Sequence, residues 1–162
     1  MVSDLGHVRA MWADDRASAG LGIECLDVRH EDGLGAATAR MPVTESMVNG
    51  HDICHGGFIF ALADSAFALA CNAGGSLTVA ATCDISFVTA ARRDDVLVAV
   101  ARERTTYGRN GITDVTVTRQ SDGAVIAEFR GRSRSVGAPT AARTSAPALE
   151  FRPGSHRPDG DH

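Results

Sequence analysis

The sequence has 162 residues, of which 44% are apolar, so it can build one hydrophobic core but leaves no room for a second domain of ordinary size. The formal net charge of -4 and the pI near 5.8 disfavour partnership with nucleic acid or with an anionic membrane. All sixteen basic residues are Arg, which excludes Schiff-base chemistry and a P-loop lysine.

The first residues lack a basic region followed by an apolar run, and no stretch of about 18 apolar residues occurs elsewhere. We therefore expect a cytoplasmic protein with no membrane segment. The four cysteines are expected to be free thiols, because chains of this length without a signal peptide usually keep such residues reduced. They are Cys25, Cys54, Cys71 and Cys83.

In chain order, the hydrophobic pattern first predicts an amphipathic helix, capped by Ser3 and reaching about residue 17. Residues 21–31 and 34–43 are typical of two strands, joined by an Asp32-Gly33 turn into a hairpin. Residues 57–74 then form a long helix that is apolar on nearly every side, and a helix of this kind is expected to be buried.

Four strands are predicted after this helix, at residues 77–88, 96–106, 112–120 and 124–136. Their short links predict an antiparallel meander. The apolar helix is buried best if the six-stranded antiparallel sheet curls around it. We therefore predict one α+β domain of residues 1–137. Residues 138–162 are rich in Ala, Pro, Gly, Ser, Thr and charge, and we expect this tail to be disordered.

The predicted central helix carries one charged side chain, Asp64. A buried carboxylate costs free energy unless it is paired or protonated, so a functional role is the leading interpretation. The alternative is an Asp that hydrogen-bonds a neighbouring backbone group or caps another element.

Gly56 and Gly57 lie at the start of this helix. Their backbone N–H groups would lie at the positive end of the helix dipole, where they can hold a carbonyl oxygen that gains negative charge. The alternative is that the two glycines only permit a tight turn.

Asp64 lies seven residues beyond Gly57, which corresponds to about 10 Å along a helix. One carbonyl centre cannot contact both groups within a single chain. If they cooperate, Asp64 must come from a second copy whose helix runs antiparallel, and a two-fold dimer provides that arrangement.

The same region resembles a known family, the phenylacetate-degradation thioesterases, which are hotdog-fold hydrolases of acyl-CoA such as hydroxyphenylacetyl-CoA. Four runs carry the resemblance: Val48-Asn49-Gly50-His51, Cys54-His55-Gly56-Gly57, Leu62-Ala63-Asp64-Ser65-Ala66-Phe67-Ala68 and Ala70-Cys71-Asn72. It extends to Gly22-Ile23 in the first strand and to Phe129-Arg130-Gly131-Arg132-Ser133 in the last.

The resemblance implies a cytoplasmic acyl-CoA thioesterase for an aryl or medium-chain acyl group in phenylacetate degradation, assembled as a homotetramer by pairing two dimers. It implies no metal and no cofactor beyond the coenzyme A of the substrate. By position, Asp64 matches the catalytic carboxylate and Gly57 the backbone oxyanion donor. Asn49 and His55 match polar groups around the thioester and water, and Gly56 and Ser65 are expected to contact the substrate. A general base and a nucleophile that forms a transient anhydride are both open roles for Asp64.

Two departures from the family bear on specificity. Leu69 follows Phe67-Ala68 where relatives often have Tyr, and Ala90-Ala91-Arg92-Arg93 replaces a Pro-Gly turn. The candidates for binding the phosphates of coenzyme A are Arg109, Arg132 and Arg134, the alternative being that they form a solvated face.

Other classes fit the pattern less well. A zinc site could draw on His51, Cys54, His55, Cys71 and Cys83, but their spacing lacks the paired ligand motifs. A serine hydrolase lacks its G-x-S-x-G turn. An enoyl-thioester hydratase could use Asp64 with His55, and an acyl-CoA sensor would keep the pocket without the acid.

Overall fold

The computed structural model describes residues 5–137, so the predicted Ser3 cap and the predicted disorder of residues 138–162 lie outside it. Within this range no helix is long and apolar enough to cross a membrane. The helices and strands are α1 Gly6–Ala13, α2 Arg16–Gly20, β1 Glu24–Glu31, β2 Leu34–Pro42, α3 Gly56–Asn72, β3 Leu77–Phe87, β4 Val96–Tyr107, β5 Asn110–Arg119 and β6 Val125–Gly137.

The six strands form one sheet in the order β1-β2-β4-β5-β6-β3, and every neighbouring pair is antiparallel. The predicted six-stranded antiparallel sheet is confirmed. The predicted four-strand meander is wrong in one respect, because β3 pairs with β6 instead of with β4. Residues 88–95 cross the end of the sheet, which lets β4 pair with β2 and leaves β3 as an edge strand.

As expected, the helix α3 packs against the sheet, where it contacts all six strands. Two glycines permit the close approach: a Cβ on Gly35 would lie 1.9 Å from the Ala70 carbonyl oxygen, and one on Gly131 would lie 2.6 Å from the Phe67 ring. Side chains that face the helix from β2, β4 and β5 are buried, namely Ala37, Ala39, Met41, Leu97, Ala99, Ala101, Val115 and Val117. The core therefore lies between α3 and the sheet.

Within one chain α3 is not covered on every side. A half-buried stripe recurs at three- and four-residue intervals and consists of Phe58, Ala61, Asp64, Ser65 and Ala68. The prediction of a helix buried all round is thus wrong for a single chain. Most residues of the stripe are small, so another helix could approach it closely.

The N-terminal segment forms two short helices instead of the single helix predicted up to residue 17. The break falls at Asp14 and Asp15, where Asp15 leaves helical geometry and its side chain accepts a hydrogen bond from Ser18 N–H. Asp favours this capping position over a helix interior. The first strand also begins later than predicted, at Glu24, because the backbone turns at Gly22, whose φ is +69°.

Candidate active site

The loop before α3 is organised by Asn49. Its Oδ1 accepts hydrogen bonds from His51 N–H at 2.9 Å and from Ile53 N–H at 3.3 Å. Its backbone N–H donates to the Ile53 carbonyl oxygen at 2.8 Å. The side-chain amide nitrogen of Asn49 has no hydrogen-bond partner between residues 5 and 137. The acceptor atom of Asn49 therefore shapes the loop, while its donor is available to a ligand.

The first residues of α3 differ in whether their backbone donors are occupied. His55 is the N-cap, and its Nδ1 accepts a hydrogen bond from Gly57 N–H at 3.1 Å. An accepting Nδ1 places the proton of a neutral ring on Nε2. Gly56 N–H has no partner in the described part of the chain. Of the two glycine donors expected from the sequence, Gly57 is engaged by the cap and Gly56 is free.

The ring of Phe87, at the end of β3, lies against Gly56. A Cβ on Gly56 would lie 2.7 Å from this ring, and Phe87 itself is 55% exposed. The absence of a side chain at Gly56 therefore lets an aromatic ring lie beside the free N–H group. Sequence reasoning missed Phe87, whose one signal was its position at the apolar end of a predicted strand.

Asp64 lies half-buried in the middle of α3. Burial raises the pKa of its carboxyl group above the ordinary value, and the nearby negative charge of Asp15 raises it further. Neither a hydrogen bond nor an ion pair engages this carboxylate within residues 5–137, so Asp64 does not act there as a cap for another element. An unpaired carboxylate with a raised pKa is a stronger base than an ordinary carboxylate.

The two halves of the candidate site are far apart in one chain. Asp64 lies eight residues beyond Gly56 on the same helix, which corresponds to about 12 Å along its axis. The structure thus places both groups on α3 but does not bring them together. A site that uses both needs a second copy of the chain.

Ser65 directly follows Asp64, and its hydroxyl oxygen lies 2.8 Å from that of Ser18 in α2. Ser18 in turn contacts Asp15 through both its hydroxyl and its backbone N–H. The sequence singled out Ser65 as a substrate contact but missed Asp15 and Ser18. Their signal was an Asp three residues before a Ser at a helix start, a pattern typical of a helix cap.

Of the three arginines expected to bind coenzyme A, Arg109 and Arg134 lie near the start of β3, whereas Arg132 lies opposite Thr82 in the middle of that strand. Arg109 donates to the Ser135 carbonyl oxygen, Arg132 lies 3.6 Å from Asp84, and Arg134 is opposite Val79 in the sheet register. Phe87 and Gly56 lie at the other end of β3, about 26 Å from Val79 at the usual rise of a strand. A single chain therefore keeps Arg109 and Arg134 away from the start of α3. Arg132 and Arg134 also lie on the sheet face that points away from α3, because residues alternate between faces along a strand and the preceding Gly131 packs against Phe67.

The residues considered as zinc ligands do not converge. Between residues 5 and 137 no group of three or more His, Cys, Asp or Glu side chains could hold a metal ion. All four cysteines are free, and burial raises the pKa of the Cys54 thiol to about 11 and that of the Cys71 thiol to about 12. These thiols are neutral at physiological pH and behave as core residues.

A long helix packed against a six-stranded antiparallel sheet is the arrangement of the hotdog-fold thioester hydrolases. The family model described as "Thioesterase superfamily" matches residues 51–126. The sequence is 38% identical over 131 residues to the acyl-coenzyme A thioesterase PaaI of Escherichia coli, which covers 81% of this chain and 90% of that protein. The chain belongs to the thioesterase superfamily, among the relatives of PaaI.

Solved structures agree with this assignment. The PaaI protein from the phenylacetic acid degradation operon of Escherichia coli superposes with a TM-score of 0.80 at 35% identity, covering 86% of this chain and 99% of that chain. A mutant of the phenylacetic acid degradation protein PaaI from Thermus thermophilus gives a TM-score of 0.69 at 30% identity, with 75% and 100% covered. A thioesterase protein from Streptococcus pneumoniae, solved with coenzyme A, shares the fold at 23% identity, with a TM-score of 0.67 and 73% and 88% covered.

Proposed function

We propose that this protein hydrolyses acyl-CoA thioesters in the cytoplasm, at sites shared between two copies of the chain. The observation that carries the proposal is the separation on α3 of a free donor, Gly56 N–H, from an unpaired carboxylate, Asp64. In a two-fold dimer with antiparallel α3 helices, the helix start of one copy lies beside Asp64 of the other. Each dimer then has two complete sites.

Two surfaces support dimerisation. One is the half-buried stripe of α3 defined above. The other is the β3 edge, where four large apolar side chains on or just after the strand are 39–59% exposed, namely Leu77, Val79, Phe87 and Val88. An exposed apolar edge strand is a site for pairing with another chain. Antiparallel pairing of two β3 edges would also set two α3 helices antiparallel.

The proposed chemistry begins when a thioester carbonyl binds at the start of α3. Its oxygen accepts a hydrogen bond from Gly56 N–H, and Gly57 N–H becomes a second donor only when the His55 ring leaves it. Asp64 of the other copy then takes a proton from water as the water oxygen attacks the carbonyl carbon. The carbon–sulfur bond then breaks, the departing sulfur takes the proton from Asp64, and the products are the free acid and coenzyme A. Direct attack by Asp64, followed by hydrolysis of an anhydride, gives the same products.

The same pairing would bring Arg109 of one copy toward the site of the other. If two β3 edges pair antiparallel, the start of β3 in one copy lies near its end in the other. Arg109 of the second copy would then approach the helix start, where the phosphates of coenzyme A need cations.

Oligomeric size tests the shared site. We expect light scattering to give at least a dimer and, with dimers pairing, a tetramer. Ala81→Pro should weaken assembly and hydrolysis together, because Ala81 is the bulged residue of β3 without a partner on β6, and proline blocks strand addition at an edge. Ala81→Ser is the matched control and should assemble normally. A fully active monomer would rule out the shared site.

Asn49 offers a matched test of the loop donor. Asn49→Asp keeps the acceptor that His51 and Ile53 use but removes the free amide donor. We expect it to fold normally and to lose roughly tenfold in kcat/KM, as for one hydrogen bond to the reacting group. Asn49→Ala should lose more and also melt at a lower temperature. If Asn49→Asp were fully active, Asn49 would have only a structural role.

The acyl group can be assigned by assay. We propose an aryl or medium-chain substrate, in keeping with the phenylacetic acid degradation operon that holds the Escherichia coli relative. A panel of aromatic and aliphatic acyl-CoA esters should show release of free thiol from a subset. Binding of several esters with hydrolysis of none would instead indicate a sensor, and loss of enoyl absorbance without free thiol would indicate a hydratase.

A further inference from the structure

A chain of hydrogen bonds connects the N-terminal segment to the part of α3 that carries Asp64. The Ser18 hydroxyl donates to Asp15 Oδ2 at 2.6 Å and lies 2.8 Å from the Ser65 hydroxyl oxygen. The single hydroxyl proton of Ser18 is used on Asp15, so the Ser65 hydroxyl must be the donor to Ser18. The hydrogen bonds therefore connect Ser65, next to Asp64, through Ser18 to the Asp15 carboxylate.

This series of hydrogen bonds is shielded from water at its middle residue, Ser18. Ser18 is only 3% exposed, and its backbone N–H also donates to Asp15, at 2.9 Å to Oδ1. Hydrogen bonds to a carboxylate are among the stronger ones in proteins, and a partly buried charge is screened less than an exposed one. Asp15 is thus held in place by two bonds from one residue, with its charge directed at the middle of α3.

Three titratable groups interact electrostatically with Asp64 in the described part of the chain. They are Asp15, before α2, the Cys83 thiol of β3 and the Cys71 thiol of α3. Burial raises the pKa of both thiols, so they are uncharged at neutral pH. Asp15 is therefore the group among them whose charge acts on Asp64.

We propose that Asp15 is a positioning residue for the hydrolysis, holding α2 against α3 through Ser18 and Ser65 and placing a negative charge near the catalytic carboxylate. This rests on the proposed function only in calling Asp64 catalytic. The contacts and the charge interaction belong to the fold itself, so they can be tested whether or not Asp64 is the base.

The effect on pH dependence has a definite sign. A base works when it is deprotonated, so the rate falls as the pH drops through the pKa of Asp64. The charge of Asp15 raises that pKa, which makes Asp64 a stronger base but moves the acidic limb of the profile to higher pH. Removing the charge should move the limb to lower pH and weaken the base.

Asp15→Asn is the test variant, because Asn caps helices as well as Asp does but carries no charge. Asp14→Asn is the matched control, since Asp14 is the exposed neighbouring residue. Titration of the Asp64 carboxyl carbon by NMR, with Asp64→Asn used for assignment, measures the effect without any assay. The midpoint should fall in Asp15→Asn and stay at the wild-type value in Asp14→Asn.

The pH dependence of kcat provides the second measurement. Below the wild-type midpoint, Asp15→Asn should keep at least about twice the fraction of its plateau rate that wild type keeps. Asp15→Ser also caps helices and carries no charge, so its pH profile should shift in the same direction. It serves as the second test variant if Asp15→Asn perturbs the fold. Equal NMR midpoints in wild type, Asp15→Asn and Asp15→Ser would overturn the proposal. A shifted midpoint combined with an active Asp64→Asn would support the charge interaction between Asp15 and Asp64 but refute both Asp64 as the base and a role of Asp15 in hydrolysis.

Discussion

Replacing Asp64 by Asn is expected to lower kcat for thioester hydrolysis at least about 100-fold, as for other general bases. Asn has nearly the same shape but neither accepts a proton at neutral pH nor attacks a carbonyl carbon. Because no hydrogen bond or ion pair engages the Asp64 carboxylate between residues 5 and 137, the variant should fold normally. It should even melt at an equal or higher temperature, since a partly buried charge is removed.

Asp32→Asn is a suitable control for this experiment. Asp32 lies in the exposed turn between β1 and β2 with φ of +52°, a conformation that Asn tolerates. Its activity and melting temperature should match wild type. Near-normal turnover by Asp64→Asn would remove the carboxylate from the mechanism. A large drop in melting temperature would mean that Asp64 has a structural role instead.

Local sequence patterns predicted the parts of the site that lie within one helix. The apolar run of α3, the glycines at its start and the isolated Asp64 can be identified from composition and spacing alone, because helix geometry is regular. The inference that Gly56 or Gly57 and Asp64 cannot meet in one chain followed from the same regularity. The family resemblance added the reaction, which no local pattern would have supplied.

Features that depend on long-range pairing could not be predicted. The position of β3 at the edge follows from which strands β4 and β6 pair with, and short links do not decide this. The incomplete coverage of α3 has the same origin, because it depends on how far the sheet curls. Both features matter for function, since they create the surfaces proposed for the dimer.

Other details depend on individual side chains. The family resemblance named Gly57 as the oxyanion donor, and only the structure shows that the His55 ring accepts from Gly57 N–H and leaves Gly56 N–H free. Likewise the break before α2 depends on Asp15 capping a helix instead of continuing one. Such choices involve competing hydrogen bonds of similar free energy, about 1 kcal/mol each, so residue type alone does not settle them.

Gly56→Pro is expected to lower kcat about 100- to 1,000-fold by deleting one oxyanion donor. Proline is tolerated at the first position of a helix, where its missing N–H breaks no helical bond. The preceding residue, His55, already has the extended backbone that proline requires, with ψ of 132°. Gly56→Ala is the matched control, because its Cβ displaces the Phe87 ring in the same way but keeps the N–H group. An equal loss in both variants would attribute the effect to Phe87 instead of the donor.

Coexpression of Gly56→Pro chains with Asp64→Asn chains tests whether the site is shared. Each variant alone should be nearly inactive. In a mixed dimer, the Gly56 of one chain meets the Asp64 of the other, so one of the two sites is complete. Random pairing in an equimolar coexpression makes half of the dimers mixed, so about a quarter of the wild-type activity should return. If each site lay within one chain, every site would carry a defect and no activity would return.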